Sequence, residues 1–480
     1  MTVPDRLPGG LSADTFLKDY WQKKPLVIRQ AFPDFQSPVS ADELAGLACE
    51  QAVESRLVVE EENGHPWQLH NGPFSTDRFT SPPSGNWTLL VQGLDHWVPE
   101  VADILDHFRF VPNWRLDDIM ASYAPPGGSV GPHFDQYDVF LLQAEGHRRW
   151  RFGGACSEQS PRVEGTPLRI LKDWQADEDV LLAPGDMLYL PPGIGHHGVA
   201  EDDCITLSVG FRAPTVDDLL TSFTDFLCTE TDVSGHLPDG DIRLPDNPGA
   251  IGDQALDRLE AEIHARVSDR RNLALWFGQF STAPKNSDIV IPAEPPATAD
   301  DLLEALAGDG VLRWNEGSRF AYTELDDQTA LFVDGERYLL NGDARPLAPL
   351  LCASSRTDTA KIAHLCRDPA LAELLTVLYN QGSRKYSWQL APRDVRDIRQ
   401  TVFIDEQKVP PELEWDDTDE IADHFLAVLP DNTPAATARM FHTLDDTAHI
   451  GRMAVLARHR GTGLGEKMLR HLMSEAAGQV

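Results

Sequence analysis

Short runs of alternating apolar and polar residues, separated by glycine and proline, dominate the chain between residues 114 and 211. Alternation with a period of two is typical of strands that bury one face, and Gly or Pro between runs indicates turns. A series of many short strands predicts a jelly-roll barrel. The predicted strands are 114–123, 131–143, 146–152, two around a Pro-Gly turn in 180–190, and 204–211.

The residues before this block show a mixed pattern. Ser12 is a cap signal before a helical run, and Ser40 and Glu43 match a capping box, in which each side chain binds the other's backbone N–H. The predicted elements are helices at 12–21, from 40 to 47 and at 96–110, and strands at 24–29 and 86–92.

From residue 215 onward the apolar residues recur with the helical period. The pattern predicts helices at 217–227 and 253–277, a Pro-rich linker at 290–297, and then a helix, two or three strands and more helices up to residue 382, the order of a winged-helix module. The remaining residues predict strands at 386–390, 424–429, 435–441 and 449–455, with helices at 392–403 and 467–477.

Composition narrows the class of protein. A chain of 480 residues has room for two to four domains. Its net charge of −35 argues against nonspecific nucleic-acid binding, which depends on Lys and Arg, so no direct nucleic-acid partner is expected. An acidic surface would steer a basic protein toward it, although it could equally reflect adaptation to a salty cytoplasm. No stretch predicts a membrane span, and six scattered cysteines are typical of a reducing, cytoplasmic location.

The residues with the most specific chemistry are His133, Asp135 and His196. If 131–143 is a strand, His133 and Asp135 point the same way, since alternate residues share a face. His196 follows a Pro-Pro-Gly turn and precedes another strand. Two imidazoles and one carboxylate form the facial triad that holds Fe(II) and leaves positions open for a co-substrate and oxygen. A lone His-x-Asp is a weak signal, but this context makes it strong.

The block around these residues resembles the JmjC-type ribosomal oxygenases, specifically the bacterial arginine hydroxylases. The resemblance covers roughly residues 10–383 and includes Trp21-Gln-Lys-Lys-Pro25, Gly-Pro-His-Phe-Asp-Gln-Tyr-Asp-Val-Phe, Pro-Pro-Gly-Ile-Gly-His and Ser208-Val-Gly-Phe-Arg-Ala-Pro214. It implies an Fe(II)- and 2-oxoglutarate-dependent dioxygenase that uses O₂ to hydroxylate an arginine of the sixteenth large-subunit ribosomal protein. It also implies a homodimer, formed through a helical region after the barrel.

The resemblance also assigns roles to other residues. Arg148 would bind the C5-carboxylate of 2-oxoglutarate, for which a guanidinium offers bidentate hydrogen bonds. Ser122 and Ser208 would also contact the co-substrate. Asp118 and Tyr137 match the substrate-pocket positions, with Met120 lining the pocket, and a carboxylate beside an aromatic face suits a substrate arginine.

The last hundred residues resemble the N-terminal half of a GNAT acetyltransferase. In that family the Gly-rich backbone at a helix N-terminus holds the acetyl-CoA pyrophosphate, which points here to Arg460, Gly461, Gly463 and Gly465. Because the later strands of the fold would follow residue 480, we expect an incomplete domain, either a truncated copy or a gene model cut short. Acetyl-CoA binding is expected only if the domain were completed.

Together these observations predict a multidomain α+β protein. The expected domains are a JmjC or cupin double-stranded β-helix over 1–213, a helical dimerisation region over 214–290, a winged-helix-like domain over 291–383 and a partial GNAT-like domain over 386–480. The expected activity is arginine hydroxylation of a ribosomal protein. Alternatives are the same chemistry on another basic protein or on histidine, a non-catalytic cupin scaffold, and acetyl transfer by the tail. The sequence leaves the modified carbon open.

Overall fold

The computed structural model describes most of the chain. The described residues are 4–231, 235–237, 239–240, 242–244, 247–285, 289–293, 296–306, 310–388, 395, 398–409, 414, 418–429, 433–442 and 447–478. They form two compact units, one of residues 1–289 with 316–353 and one of residues 290–315 with 354–480. None of the helices in these ranges combines the length and the apolar character that a bilayer span requires.

The first eleven strands and four α-helices lie before residue 212. The helices are α1 (Ala13–Asp19), α2 (Ala41–Leu47), α3 (Asp77–Thr80) and α4 (Pro99–Ile104). The strands are β1 (Leu26–Ile28), β2 (Ser55–Glu62), β3 (His65–Asn71), β4 (Trp87–Val91), β5 (Leu116–Ala124), β6 (Val139–Glu145), β7 (Arg148–Ala155), β8 (Glu178–Leu182), β9 (Met187–Leu190), β10 (Ile194–Ala200) and β11 (Cys204–Phe211).

The remaining elements are divided between the two units. The helices are α5 (Val216–Glu230), α6 (Asp253–Val267), α7 (Arg270–Thr282), α8 (Ala299–Leu306), α9 (Leu347–Cys352), α10 (Thr359–Ala363), α11 (Pro369–Asn380), a π-helix (Gln400–Glu406), α12 (Thr418–Ile421) and α13 (Leu464–Gly478). The strands are β12 (Gly310–Trp314), β13 (Phe320–Glu324), β14 (Gln328–Val333), β15 (Glu336–Asn341), β16 (Arg356–Asp358), β17 (Arg384–Trp388), β18 (Asp423–Val428), β19 (Pro434–His442) and β20 (Ala448–Val455).

Two antiparallel sheets form the predicted jelly-roll barrel. The larger sheet has the strand order β1-β9-β6-β11-β5-β4-β2-β3, and the smaller one has the order β10-β7-β8. Alternation along β6 shows how the layers are built: Val139 and Leu141 pack with Trp150 and Phe152 of the smaller sheet. Phe140 and Leu142 face the other way, into the core under the N-terminal helices. The period-two pattern therefore decides which residues enter the barrel.

The helical and winged parts of the first unit continue directly from the barrel. Helices α5 and α7 pack on the sheet β13-β14-β15 through a core that includes Phe223, Trp276 and Phe332. Arg212, just after β11, donates hydrogen bonds to the carbonyls of Ser281 (2.7 Å) and Ala283 (3.1 Å). This anchor holds the end of α7 beside the barrel.

The second unit contains two further three-stranded sheets. One has the order β16-β12-β17, and helices α8, α10 and α11 contact its strands or one another. The other has the order β18-β19-β20, and α13 covers it through Met440, Met468 and Leu472. The predicted helix 392–403 and strand 386–390 fall partly outside the described residues, since 389–394 and 396–397 are not among them.

Three predicted elements are wrong in extent. The single helix predicted at 96–110 is instead a 3₁₀ turn (Leu94–His96), α4 and a second 3₁₀ turn (Leu105–Phe108), because Pro99 disfavours helical backbone at the residue before it. The helix predicted at 253–277 is two helices, with Asp269 capping the second. The strand predicted at 131–143 becomes regular only at Val139, and a bridge residue with irregular backbone replaces its first half.

A buried carboxylate connects the barrel to the N-terminal segment. Asp138 is fully buried and accepts hydrogen bonds from the Tyr189 hydroxyl (2.6 Å), the Arg115 guanidinium (2.8 Å) and the Gln22 amide (3.0 Å). Each partner comes from a different part of the chain. Removal of this carboxylate would leave the Arg115 guanidinium without its anion and the other two donors without their acceptor. We therefore expect Asp138 to be important for stability.

We predict that Asp138→Ala lowers the free energy of unfolding by about 3 kcal/mol, because it leaves a mostly buried guanidinium uncompensated. The control is Asp179→Ala, which removes a half-exposed carboxylate that pairs with Arg149 and Arg151 and should cost no more than about 1 kcal/mol. Urea denaturation followed by tryptophan fluorescence measures both. Equal losses in the two variants would contradict the prediction.

Candidate active site

His133 and His196 are held together by their own backbones. The N–H of His133 donates to the carbonyl of His196 (2.9 Å), and the N–H of His196 donates back (2.8 Å). Their ring centroids are 4.2 Å apart, and the Nε2 of His196 lies 3.6 Å from a carboxylate oxygen of Asp135. One ligand atom from each of the three residues lies within 4.8 Å of the others. The structure thus brings together the three side chains that the sequence predicted.

Two glycines make this approach possible. Gly131 has φ +79°, and a Cβ there would come within 2.7 Å of Ile170, so the turn that presents His133 favours glycine. Gly193 has φ +76°, and its N–H donates to the carbonyl of Asp135 (2.8 Å). The Pro-Pro-Gly turn therefore fixes the backbone position of Asp135 as well as that of His196.

Hydrogen bonds decide the orientation of both imidazoles. The Nδ1 of His133 lies 2.9 Å from the carbonyl of Gly131, and the Nδ1 of His196 lies 3.0 Å from the carbonyl of Ile194. Because a carbonyl only accepts, each Nδ1 carries a proton. In the neutral ring each Nε2 then presents a lone pair to the space beside Asp135, as metal coordination requires.

The electrostatics of the site favour neutral imidazole. His196 is 2 % exposed, and burial, assisted by the nearby His133, lowers the pKa of His196 to about 4. Burial followed by the charge of Arg151 lowers the pKa of His197 to about 4 as well. The imidazole of His196 is therefore neutral at neutral pH. The donor set of two imidazoles and one carboxylate fits Fe(II) and related divalent metals.

A cavity of about 570 Å³ opens from these three residues into the barrel. Both sheets contribute side chains to it. The sequence-predicted residues that line it are His133, Asp135, His196, Arg148, Ser122, Ser208, Asp118, Met120 and Tyr137.

Arg148 has the features of a residue that binds an anion. The residue is 2 % exposed, and its Nη1 donates a long hydrogen bond to Ser122 Oγ (3.4 Å). Its Nε and Nη2 are buried without a hydrogen-bond partner among the described residues. A buried guanidinium without a counter-ion is costly. A carboxylate entering the cavity would satisfy both orphan donors, which fits 2-oxoglutarate.

Cross-strand pairs of β5 and β11 form the cavity wall beside this guanidinium. Ser122 pairs with Thr206, and Met120 pairs with Ser208. Ser122 and Ser208 are both buried, and both line the cavity. Asp118 is the next residue of β5 on the same face, and Gly210 lines the cavity near it.

Asp118 is a buried carboxylate, 5 % exposed, at the other end of the cavity. It accepts a hydrogen bond from the Gln92 amide (2.9 Å) and lies 3.4 Å from the ammonium of Lys285. Its neighbour Asp117 binds Lys285 (2.5 Å), Arg319 (3.2 Å) and Arg212 (3.4 Å). Burial raises the pKa of Asp117, but these cations outweigh burial and lower it overall.

Tyr137 stands at the rim, 41 % exposed, with Met120 deeper in the wall. Enclosure of the hydroxyl, followed by the charges of Asp135 and Asp118, raises the pKa of Tyr137 well above its usual value. The phenol therefore stays neutral. Its ring and the carboxylate of Asp118 together suit a cationic side chain.

The residues of the cavity wall that were missed in the sequence include Arg56, Gln92 and Lys285. Arg56 lies on β2 and donates to Gln92 (2.9 Å), and Lys285 follows α7. Asn63-Gly64 is a hairpin signal that could have identified β2 and β3, and with them the position of Arg56. Gln92 and Lys285 carry no local signal, because only the fold brings them to Asp118.

The Gly-rich loop of the second unit lies between β20 and α13. Gly461 (φ +78°) and Gly463 (φ +80°) have the positive φ that favours glycine, and Gly465 lies in the first turn of the helix. Arg460 donates to the carbonyl of Val455 (2.8 Å) and pairs with Glu406. The loop-then-helix arrangement is therefore as predicted, with the arginine bound within its own unit.

Comparisons with known proteins identify the parts of the chain. The family model described as "JmjC domain" matches residues 103–219, "ROXA-like winged helix" matches 265–385, and "Acetyltransferase (GNAT) family" matches 393–479. The fold class predicted from the sequence is confirmed in these three respects.

Two curated relatives match most of the chain. The ribosomal protein uL16 3-hydroxylase of Escherichia coli (strain K12) is 34% identical over 367 residues, which cover 76% of this chain and 95% of the relative. The probable ribosomal oxygenase of Haemophilus influenzae is 33% identical over 339 residues, covering 69% and 83%. A solved structure of the Escherichia coli ribosomal oxygenase YcfD with cobalt and 2-oxoglutarate is similar with a TM-score of 0.71 and 34% identity, covering 79% of this chain and 99% of that one.

A second buried acid lies close to Asp118. Asp95 is 1 % exposed, and its Oδ1 accepts the backbone N–H of Ile119 (2.7 Å), beside Asp118 on β5. Burial raises the pKa of Asp95 to about 8, and the charge of Asp118 adds to the shift. At neutral pH this carboxyl is therefore protonated in the folded protein and ionised in the unfolded chain.

This difference predicts a pH dependence of stability. An acid whose pKa is raised on folding contributes most below its unfolded pKa near 4, and the contribution is lost as pH rises toward 8. Asp95→Asn keeps the oxygen that accepts the Ile119 N–H but cannot ionise. We expect the wild-type melting temperature to fall more between pH 6 and pH 9 than that of Asp95→Asn, by about 5 °C.

Differential scanning fluorimetry at the two pH values checks this expectation. Asp179→Asn is the control, because arginine contacts lower the pKa of Asp179, so it stays ionised over this range in both states. Parallel curves for wild type and Asp95→Asn would contradict the assignment.

Proposed function

This chain belongs to the JmjC-type ribosomal oxygenases, and from that premise we propose that it hydroxylates an arginine side chain of the ribosomal protein uL16. The proposal includes His133, Asp135 and His196 as the ligands of Fe(II), with 2-oxoglutarate and O₂ as co-substrates. The observation that carries it is a single cavity with three converged candidate metal donors, a guanidinium with two unpartnered donors and a buried carboxylate.

In this proposal the metal, when bound, supplies the oxygen-activating chemistry, and the protein supplies binding and orientation. Arg148 binds the distal carboxylate of 2-oxoglutarate through its orphan Nε and Nη2, assisted by the hydroxyls of Ser122 and Ser208. The two backbone-bound Nδ1 protons keep both imidazoles in the tautomer that presents Nε2. The barrel wall around them excludes water from the reacting groups.

Three features support an arginine as the target. Asp118 is a buried carboxylate whose neutral partner is the Gln92 amide, and such a group binds a planar guanidinium bidentately. Tyr137 offers an aromatic face at the rim, and Met120 an apolar wall. The net charge of −35 attracts a basic ribosomal protein, and the curated Escherichia coli relative is named for uL16.

We also propose a homodimer and a cytoplasmic location, where the chain would meet a ribosomal protein. Helix α6 supports the first, because an apolar row recurs along it at exposed positions. Leu256, Leu259, Ile263 and Val267 are between 42 % and 54 % exposed. A second copy of the helix would cover this row.

Mass spectrometry of ribosomal proteins tests the substrate. We expect one added oxygen atom on one arginine of uL16 from wild-type cells, and its absence in a deletion strain and in a strain that carries His133→Ala. A deletion strain complemented with wild-type protein is the control. An added oxygen on histidine, or on another basic protein, would favour an alternative substrate, and persistence of the modification without the protein would contradict the proposal.

Steady-state kinetics tests the co-substrate site. We predict that Arg148→Gln raises the KM for 2-oxoglutarate by about 10- to 100-fold, because a charge-assisted hydrogen-bonded pair is lost, while Fe(II) affinity is retained. Arg149→Gln is the matched control, since Arg149 lies on the opposite face of β7 and pairs with Glu201 and Asp179. Equal KM values for the two variants would contradict the assignment of Arg148 as a residue that binds 2-oxoglutarate.

A further inference from the structure

Lys285 lies where the proposed substrate cation would bind. Its ammonium lies 3.4 Å from Asp118 and 2.5 Å from Asp117, and the residue lines the cavity that contains the three metal donors. Lys285 is not part of the barrel, since it follows the end of α7 at Thr282. The ammonium of Lys285 thus contacts the carboxylate of Asp118, which we propose as the partner of a substrate cation.

The fold, rather than the reach of one long side chain, places this lysine. Arg212 holds the carbonyls of Ser281 and Ala283, two to four residues before it. Arg319, which precedes β13, donates to the carbonyls of Leu116 and Asp117 at the start of β5 (3.2 Å each). The contacts of Arg212 keep the segment after α7 beside the carboxylate pair, and those of Arg319 hold the start of β13 against the same end of β5.

The two carboxylates depend on Lys285 to different degrees. Asp117 also binds Arg319 and Arg212, so it keeps two guanidinium partners if the ammonium leaves. Within the described part of the chain Lys285 is the cation in contact with Asp118, whose other partner is the neutral amide of Gln92. A carboxylate that is both buried and ionised needs a cation, so in this scheme Asp118 exchanges one cation for another when substrate enters.

The ammonium can leave at low cost. The side chain of Lys285 is 45 % exposed, so water can solvate the charge once it swings outward. A half-exposed ion pair is weak compared with a bidentate guanidinium in a buried site. A substrate arginine can therefore displace Lys285. The free energy needed to break the contact between Lys285 and Asp118 reduces the net affinity for that arginine.

We propose that Lys285 is a built-in competitor for the substrate-binding carboxylate Asp118, an autoinhibitory contact that substrate must displace. The inference rests on the proposed function, because it takes Asp118 as the partner of a basic substrate side chain. When a binding-competent state is only partly populated, the apparent affinity falls by that fraction. Lys285 thereby lowers the apparent affinity of the site, so a basic protein must bind Asp118 more strongly in order to enter it.

Binding of recombinant uL16 to protein loaded with Co(II) and 2-oxoglutarate tests the proposal by isothermal calorimetry. Lys285→Met keeps the length of the side chain and removes its charge, and we expect it to lower the Kd for uL16 about fivefold. Lys285→Arg retains a competing cation and should bind no more tightly than wild type. Lys18→Met, an exposed lysine of α1, controls for the loss of one positive charge from an acidic protein.

The outcomes separate this inference from the proposed function. Tighter binding by Lys285→Met alone supports the competitor, and a purely structural role for Lys285 would not produce it. Unchanged or weaker binding by Lys285→Met, or an equal gain in Lys18→Met, overturns the competitor but leaves the substrate assignment standing. Absence of uL16 binding in the wild type and in every variant overturns both.

Discussion

The pair of backbone hydrogen bonds between His133 and His196 is the constraint on which the site depends. A metal centre needs its donors within a few ångströms, whereas these two residues are far apart in the chain. A single bridge outside the regular ladder brings them together, and the Pro-Pro-Gly turn before His196 binds the carbonyl of Asp135 through the N–H of Gly193. The barrel sheets hold that bridge in place, so the centre is as rigid as the fold around it.

Buried charge marks both ends of the cavity. Arg148 retains two orphan donors, and Asp118 is balanced by an amide and a borrowed ammonium. Elsewhere in the barrel a buried charge is fully satisfied, as Asp138 is by three partners. The contrast has a physical meaning, because a folded chain tolerates an incompletely paired buried charge where a ligand completes it. At these two residues the buried charge is only partly compensated within the described part of the chain.

The part of the chain after the barrel contributes to the cavity as well as to its own core. Arg212 and Arg319 connect the start of β5 to the segments around α7 and β13. Lys285 reaches the cavity through these connections. A segment that the sequence pattern assigns to a domain separate from the barrel thus supplies a charge to the cavity beside Asp118.

The sequence by itself determined the jelly-roll strands, the capping box at Ser40 and the three candidate metal-donor residues, because each follows from local spacing: alternation, cap residues and glycine turns. It misjudged the backbone at His133, where a bridge replaces a regular strand, and it missed the hairpin that carries Arg56. Only the tertiary structure decided that Gln92 and Lys285 meet Asp118, and that Arg148 keeps two donors free. Those facts depend on which distant segments pack together and on which buried charges find partners, and neither is encoded in the spacing of neighbouring residues.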